Sequence, residues 1–244
     1  MNNKSIVIIG ATSGIGLETA KIFIKEDYVV GICGRRYKEL EQLQRVAPSK
    51  IFIKEIDITS EQAPALLLTL IEEMGGTSII LNCAGIGFQN RNLDMATEIK
   101  TIETNVLGFT RIADTAFNYF SERGQGHFAA ISSIAGVKGL GAAPAYSATK
   151  RYQNTYIQAL TQLSHIKGAK ITFTDIRPGF VNTALLADNR KYPLLMSPQK
   201  VASKIVSAIK GKKRGIIIDW RYAIMVFFWR MIPTPLWERL KITN

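Results

Sequence analysis

Apolar residues fall along this chain in short continuous runs separated by longer stretches of helical spacing. Ser5–Ile9 is a β-branched run of the kind expected for a strand covered on both faces. It breaks into Gly10-Ala11-Thr12-Ser13-Gly14-Ile15-Gly16, and Leu17–Glu26 then carries helical spacing. Further strands are expected at Tyr28–Cys33, Ile51–Ile56, Ser78–Leu81, Phe128–Ser132, Lys170–Ile176 and Gly215–Ile218. Between them the pattern predicts helices over Tyr37–Val46, Ser60–Met74, Leu93–Glu122, Tyr146–His165 and Pro198–Ile209. Strands alternating with helices of this length build βαβ units. The expected fold is α/β: one doubly wound, Rossmann-type domain over residues 1–219, with a mostly parallel sheet of about seven strands and helices on both faces. Residues 220–244 form an apolar and basic tail, not an independent domain. Ligands in such sheets bind beyond the carboxyl ends of the strands, at the switch in strand order, and every polar motif below falls just after a strand.

Composition agrees with a globular chain: 244 residues, 47% hydrophobic and 20% charged, with no fixed repeat and no linker-like stretch. The net charge of +12 is uneven, because residues 200–244 hold ten Lys and Arg against Asp219 and Glu238. Such asymmetry suits either an acidic partner surface or a well-solvated protein. Cys33 and Cys83 read as small buried hydrophobes, and His127 and His165 have no ligand-spaced companions, so no metal site is expected. The first apolar run is too short for a signal peptide, which points to the cytoplasm.

Tyr146 and Lys150 stand four residues apart at the start of a predicted helix, where i and i+4 share a face. A cation beside a phenol favours the phenolate and pulls its pKa below the ordinary value, so that it can exchange a proton near neutral pH. Alone, the pair also describes two surface residues, and both readings stay open. Gly10, Gly14 and Gly16 join the first strand to the first helix, where glycines let a pyrophosphate approach free helix N–H groups. Cys33-Gly34-Arg35-Arg36 has no acid at the end of the second strand to receive a ribose 2′-hydroxyl. Guanidinium forks suit a 2′-phosphate, so NADP(H) is preferred, with Arg35 as first contact and Arg36 as support, and NAD(H) remains an alternative.

GATSGIG at 10–16, NCAG at 82–85, NVLG at 105–108, ISS at 131–133, YSATK at 146–150 and PGFVNT at 178–183 together resemble the ordered motifs of the short-chain dehydrogenase/reductase family. That resemblance implies a tetrad: Tyr146 as proton donor and acceptor, Lys150 lowering its pKa and bonding the nicotinamide ribose, Ser133 orienting the substrate oxygen, and Asn105 holding a water through its backbone. Its spacing selects Ser133 over Ser132, since neighbours on a strand point to opposite faces. The resemblance also implies cofactor contacts from Thr12, Ser13 and Ile15 of the glycine turn, from Asp57 and Ile58 near the adenine, and from Asn82, Ala84 and Gly85 beside the adenosine ribose. Pro178, Gly179, Val181 and Thr183 would hold the carboxamide. Asp57 reads equally as an N-cap of the following helix. Ile9 and Cys83 depart from the family pattern, which puts local hydrogen bonding in question rather than chemistry.

An oxidoreductase acting on a carbonyl or secondary alcohol is the expected function; a nucleotide-sensing scaffold that has lost its chemistry is the alternative. Leu185, Leu186, Tyr192, Leu194, Leu195 and Met196, in a segment (about 183–198) that the resemblance implies covers the substrate, favour an apolar, lipid-like or ring substrate, or else simply pack on the core. A homodimer or homotetramer is expected. No nucleic-acid motif is present. In the tail, Trp220, Trp229 and Trp237 among Arg221, Arg230, Arg239 and Lys241 suit either a membrane-surface anchor or a helix covering a subunit interface or the cleft.

Overall fold

A computed structural model describes residues 4–186 and 192–242. Seven strands form one sheet: β1 (Ser5–Ile9), β2 (Val29–Gly34), β3 (Ile51–Glu55), β4 (Ile79–Asn82), β5 (Gln125–Ile131), β6 (Lys170–Arg177) and β7 (Gly215–Ile217). Their order is β3-β2-β1-β4-β5-β6-β7, and every pairing between them is parallel. The sheet is flanked by α1 (Gly14–Lys25), α2 (Tyr37–Gln44), α3 (Ala63–Glu73), α4 (Met95–Ile102), α5 (Phe109–Glu122), α6 (Pro144–Ile166) and α7 (Pro198–Lys210). After β7 come α8 (Trp220–Met231) and the single turn α9 (Thr234–Trp237). The doubly wound α/β architecture expected from the alternating pattern is present.

Strand β1 shows why the apolar runs are continuous. Ile6 and Ile8 join one core with Phe23 of α1, Leu40 of α2 and Val201 and Ile205 of α7. Val7 and Ile9 join the other, with Leu67 of α3, Phe109 of α5 and Leu160 of α6. Successive side chains on a strand alternate faces, and here both faces are covered by helices. The chain leaves β1 toward β2 and β3, then returns to β4 on the other side of β1, and this reversal opens the crevice above β1 and β4.

One stretch differs from the sequence expectation. The helix predicted over Leu93–Glu122 begins at Met95, and Glu103–Gly108 within it is a π-helical turn that carries Asn105. No hydrophobic periodicity announces such a turn. The apolar run 222–229 lies in α8, whose N-cap Asp219 accepts from Arg221 N at 3.1 Å and pairs with the Arg221 guanidinium at 2.8 Å. Among the described residues no helix is long and apolar enough to cross a membrane.

His127 is buried in β5 with its Nε2 2.8 Å from the Thr174 hydroxyl. Burial first, and the Lys212 charge second, push its pKa from 6.5 down to about 4. The unfolded chain therefore binds this proton across a pH range where the folded chain does not, and stability is lost as pH falls from 6.5 to about 4. Denaturant unfolding at pH 4 should show a loss of up to about 3 kcal/mol through this group. His127→Gln should flatten that part of the pH profile, and an unaltered slope would show that another group is responsible.

Candidate active site

The turn after β1 is shaped by backbone proximity. Gly10 has φ +82°, and a Cβ there would lie 2.8 Å from Ala84 N in the loop after β4. Only glycine tolerates both the dihedral and the approach. Gly10 N and Ala11 N both donate to Cys33 O, at 2.9 and 3.1 Å, tying the turn to β2. Helix α1 follows with Ser13 as N-cap, and the Ser13 side chain makes no capping hydrogen bond. The first-turn N–H groups beside Ile15 and Gly16 thus take no side-chain acceptor among the described residues and present the positive end of the helix dipole.

The residues expected to surround this turn are brought to it. Arg36 donates to the Thr12 hydroxyl from Nη2 at 2.8 Å, while Arg35 is exposed and makes no ion pair among the described residues. Thr183 lies against Gly14. Asn82 is buried, and its Oδ1 accepts from Ala84 N at 3.0 Å, which shapes the loop that continues to Gly85. Asp57 behaves as a turn-former: its Oδ1 accepts from Thr59 N at 2.9 Å and from the Thr59 hydroxyl at 2.8 Å. Ile58 is buried beneath Gly108 of the π turn. Pro178 O accepts from Ile134 N at 3.1 Å, and Val181 bridges Met196.

Tyr146 sits in the first turns of α6, half-buried; the Ser133 hydroxyl near it tends to lower its pKa, and that hydroxyl accepts from Ala135 N at 3.1 Å and lies 3.5 Å from Pro178 O. Ser132 turns the other way: its hydroxyl donates to Asp175 and accepts from Asn154 Nδ2. The two serines have opposite partners, as the alternation of a strand requires. Lys150 is buried on the same helix. Its Nζ donates to Ile131 O at 3.1 Å and to Gln153 Oε1 at 3.0 Å, and lies 5.8 Å from the centroid of the Tyr146 ring. Asn105 is fully buried; its Nδ2 donates to Ile86 O at 2.7 Å and its Oδ1 accepts from Ile86 N at 2.9 Å. The Asn105 carbonyl accepts from Gln153 Nε2 at 2.9 Å.

The electrostatics depart from one expectation. Lys150 is expected to pull the Tyr146 phenol below its ordinary pKa, yet burial pushes that pKa up and the nearby Ser133 hydroxyl only partly opposes it. The reason is geometric: the Lys150 donors described here go to a carbonyl and an amide rather than to the phenol oxygen. Burial pushes Lys150 itself down to about 8, with the Asp175 carboxylate acting in the opposite sense. Three residues escaped the sequence reading. Gln153 lies three positions beyond Lys150, and that spacing on α6 was the available signal. Asp175 sits within an apolar strand run, where an acid asks for an explanation. Gly87 lies directly against the Tyr146 ring, and nothing in the sequence marks it.

The strap expected to cover the substrate is only partly apolar inward. Met196 is core, whereas Leu185, Leu194 and Leu195 are exposed and the Tyr192 ring lies tilted against Phe180, with centroids 4.7 Å apart. Residues 187–191 of that strap lie outside the described residues. The tail is tied in. Tyr222 of α8 is fully buried with its ring over Gly179; its hydroxyl accepts from Phe180 N at 3.1 Å and lies 2.9 Å from Pro193 O. Trp237 is buried and donates to Gly139 O at 2.7 Å, with Trp229 against it, so two of the three tail tryptophans face inward or against each other rather than forming an outward belt.

A phenol beside a serine, with a buried ammonium near its ring, stands on the rim of a crevice that also holds a glycine turn. Residues 4–193 match the family model described as short chain dehydrogenase. The chain belongs to the short-chain dehydrogenase/reductase family. It is similar to an uncharacterized oxidoreductase of Mycobacterium tuberculosis, 29% identical with 98% of each chain covered. It is also similar to dehydrogenase/reductase SDR family member 7B of Mus musculus, 28% identical over 98% of this chain and 80% of that one. Among solved structures, ElxO with NADP bound superposes with a TM-score of 0.80 at 22% identity, covering 91% of this chain and 99% of the other. This short-chain dehydrogenase/reductase is therefore an oxidoreductase on a Rossmann-like domain.

In this enzyme a Cβ on Gly87 would come within 2.6 Å of Tyr146 Cδ2 and Cε2, closer than any real contact. Gly87→Ala should therefore turn the ring and lower turnover by on the order of tenfold or more. Thermal melting measured alongside should move by only a few degrees, about 1 kcal/mol in stability. Full activity in the variant would show that the ring position is not critical.

Proposed function

We propose that the enzyme is an NADP(H)-dependent oxidoreductase interconverting a carbonyl and a secondary alcohol, with Tyr146 as general acid and base. The observation that carries this reading is the Ser133–Tyr146–Lys150 constellation on the rim above the glycine turn. The residues present fit a dinucleotide: a turn whose Gly10 position leaves no room for a side chain, and a helix N-terminus with no side-chain cap. Gly10, Thr12, Ser13, Gly14, Ile15 and Gly16 would hold the pyrophosphate; Asp57, Ile58, Asn82, Ala84 and Gly85 the adenosine end; Pro178, Gly179, Val181 and Thr183, with Lys150, the nicotinamide end. When bound, the nicotinamide supplies or accepts the hydride.

The chain's own residues handle the proton. Tyr146 is a phenol at neutral pH, and burial pushes its pKa further up, so it is set to donate to an oxygen that gains negative charge during carbonyl reduction. Ser133 supplies a second hydroxyl to the same oxygen, its own position fixed by the bond it accepts from Ala135 N. Lys150 adds positive charge beside the ring, favouring the phenolate left after transfer. Gln153 ties that lysine to the Asn105 carbonyl, so both are fixed relative to the crevice floor. Exposed Phe88, beside Gly87, and the exposed leucines of the strap support an apolar substrate. Free thiols at buried Cys33 and half-buried Cys83 suit a reducing compartment such as the cytoplasm. Exposed Ile99, Ile102 and Leu107, beside a groove of about 470 Å³ between α4 and α6, support association with a second copy as a dimer or tetramer.

Tyr146→Phe should abolish NADPH-linked carbonyl reduction, a loss of on the order of a thousandfold, while NADPH titration shows nearly unchanged affinity. Retained turnover would remove Tyr146 from its role. Arg35→Ala should raise the dissociation constant for NADPH by about tenfold and leave that for NADH almost unmoved, since only the former carries the 2′-phosphate. Equal effects on both would mean that Arg35 does not read that group.

A further inference from the structure

Helix α8 presents an unusual outer face. Trp220, Ile224, Phe227, Phe228 and Met231 fall within roughly 100° of arc at 100° per residue. Trp220 is 71% exposed, Phe227 61%, Phe228 58% and Met231 64%. The opposite face is built into the protein through buried Tyr222 and Val226. An exposed helix normally turns polar residues outward, and an aromatic stripe left in water marks a contact surface. This stripe is also held rigidly, because Lys138 Nζ donates to Ile232 O at 2.9 Å just beyond its end and Trp237 is pinned to Gly139.

We propose that this face of α8 lies in the headgroup layer of an anionic lipid membrane, with its axis along the surface. At twelve residues α8 is about 18 Å long, too short for the roughly 30 Å of a bilayer core, so it can only lie flat. Arg221 and Arg230 flank the stripe on its two sides, and Arg239 and Lys241 follow next to exposed Leu236 and Leu240. Arg221 is paired with Asp219, but Arg230, Arg239 and Lys241 make no ion pair among the described residues. Ten Lys and Arg against two acids over residues 200–244 give this end of the molecule the sign that attracts acidic lipids. A second copy docked symmetrically on the stripe would bring the same arginines against themselves at its rim, which disfavours self-association as the occupant.

The test is sedimentation of the full-length protein with vesicles of phosphatidylcholine alone or mixed with phosphatidylserine. Binding is expected with the mixed vesicles, with a blue shift of tryptophan emission, and should weaken as salt is raised. The double change Phe227→Ser and Phe228→Ser should reduce partitioning by on the order of tenfold or more, while circular dichroism and NADPH oxidation stay as in the parent. Arg230→Gln with Arg239→Gln should weaken binding to mixed vesicles only. The proposal is overturned by failure to pellet with mixed vesicles or by equal binding of the Phe227/Phe228 variant. It is equally overturned if light scattering shows a dimer that dissociates in that variant, which would mean that a second copy covers the stripe.

Discussion

A buried ammonium sets the terms of this site. Lys150 is almost wholly removed from water, and a charge so placed must be satisfied by fixed polar groups or give up its proton. Ile131 O at the end of β5 and Gln153 one turn along α6 take two of its hydrogen bonds. Gln153 in turn reaches the Asn105 carbonyl in the π turn, and Asn105 holds both backbone groups of Ile86. One cation thereby links the end of β5, helix α6, the π turn and the loop after β4. The geometry around Tyr146 follows from that chain of bonds more than from any contact of the tyrosine itself.

A second buried charge stands behind the first. Asp175 accepts from Ser132, from Asn154 and from both Nε and Nη2 of Arg177, the last two at 2.8 and 2.6 Å. Its carboxylate opposes the loss of the Lys150 proton. By occupying Ser132 and Asn154 it also leaves Ser133 as the serine that faces the phenol. Buried polar groups of this kind are costly when half-satisfied; the set joins β5, β6 and α6 at their site ends, and among the described residues Asn154 Oδ1 is its one member left without a partner.

Much of this was legible in the residues. Both-face burial of the sheet follows from runs such as Ser5–Ile9, and the place of the site follows from Gly10, Asn82, Ser133 and Pro178 each lying just past a strand. What was not legible depends on contacts between distant segments. The π turn at Asn105 is selected by packing against Gln153 and Ile86, which no local pattern encodes. The direction of the Tyr146 shift reverses the simple pairwise expectation because burial outweighs a cation whose described hydrogen bonds point elsewhere. The tail tryptophans, alike in sequence, divide into Trp220 outside and Trp237 inside because only the latter finds a carbonyl, that of Gly139.

Tyr222 makes the tail and the strap one mechanical piece. The strap's limbs already meet through Asn182 N to Met196 O and Met196 N to Phe180 O. The Tyr222 hydroxyl adds a further tie, accepting from Phe180 N and donating to Pro193 O, from a ring buried over Gly179. A displacement of α8 therefore pulls on both limbs at once, and whatever load reaches the outer face of that helix is carried to the backbone beyond β6.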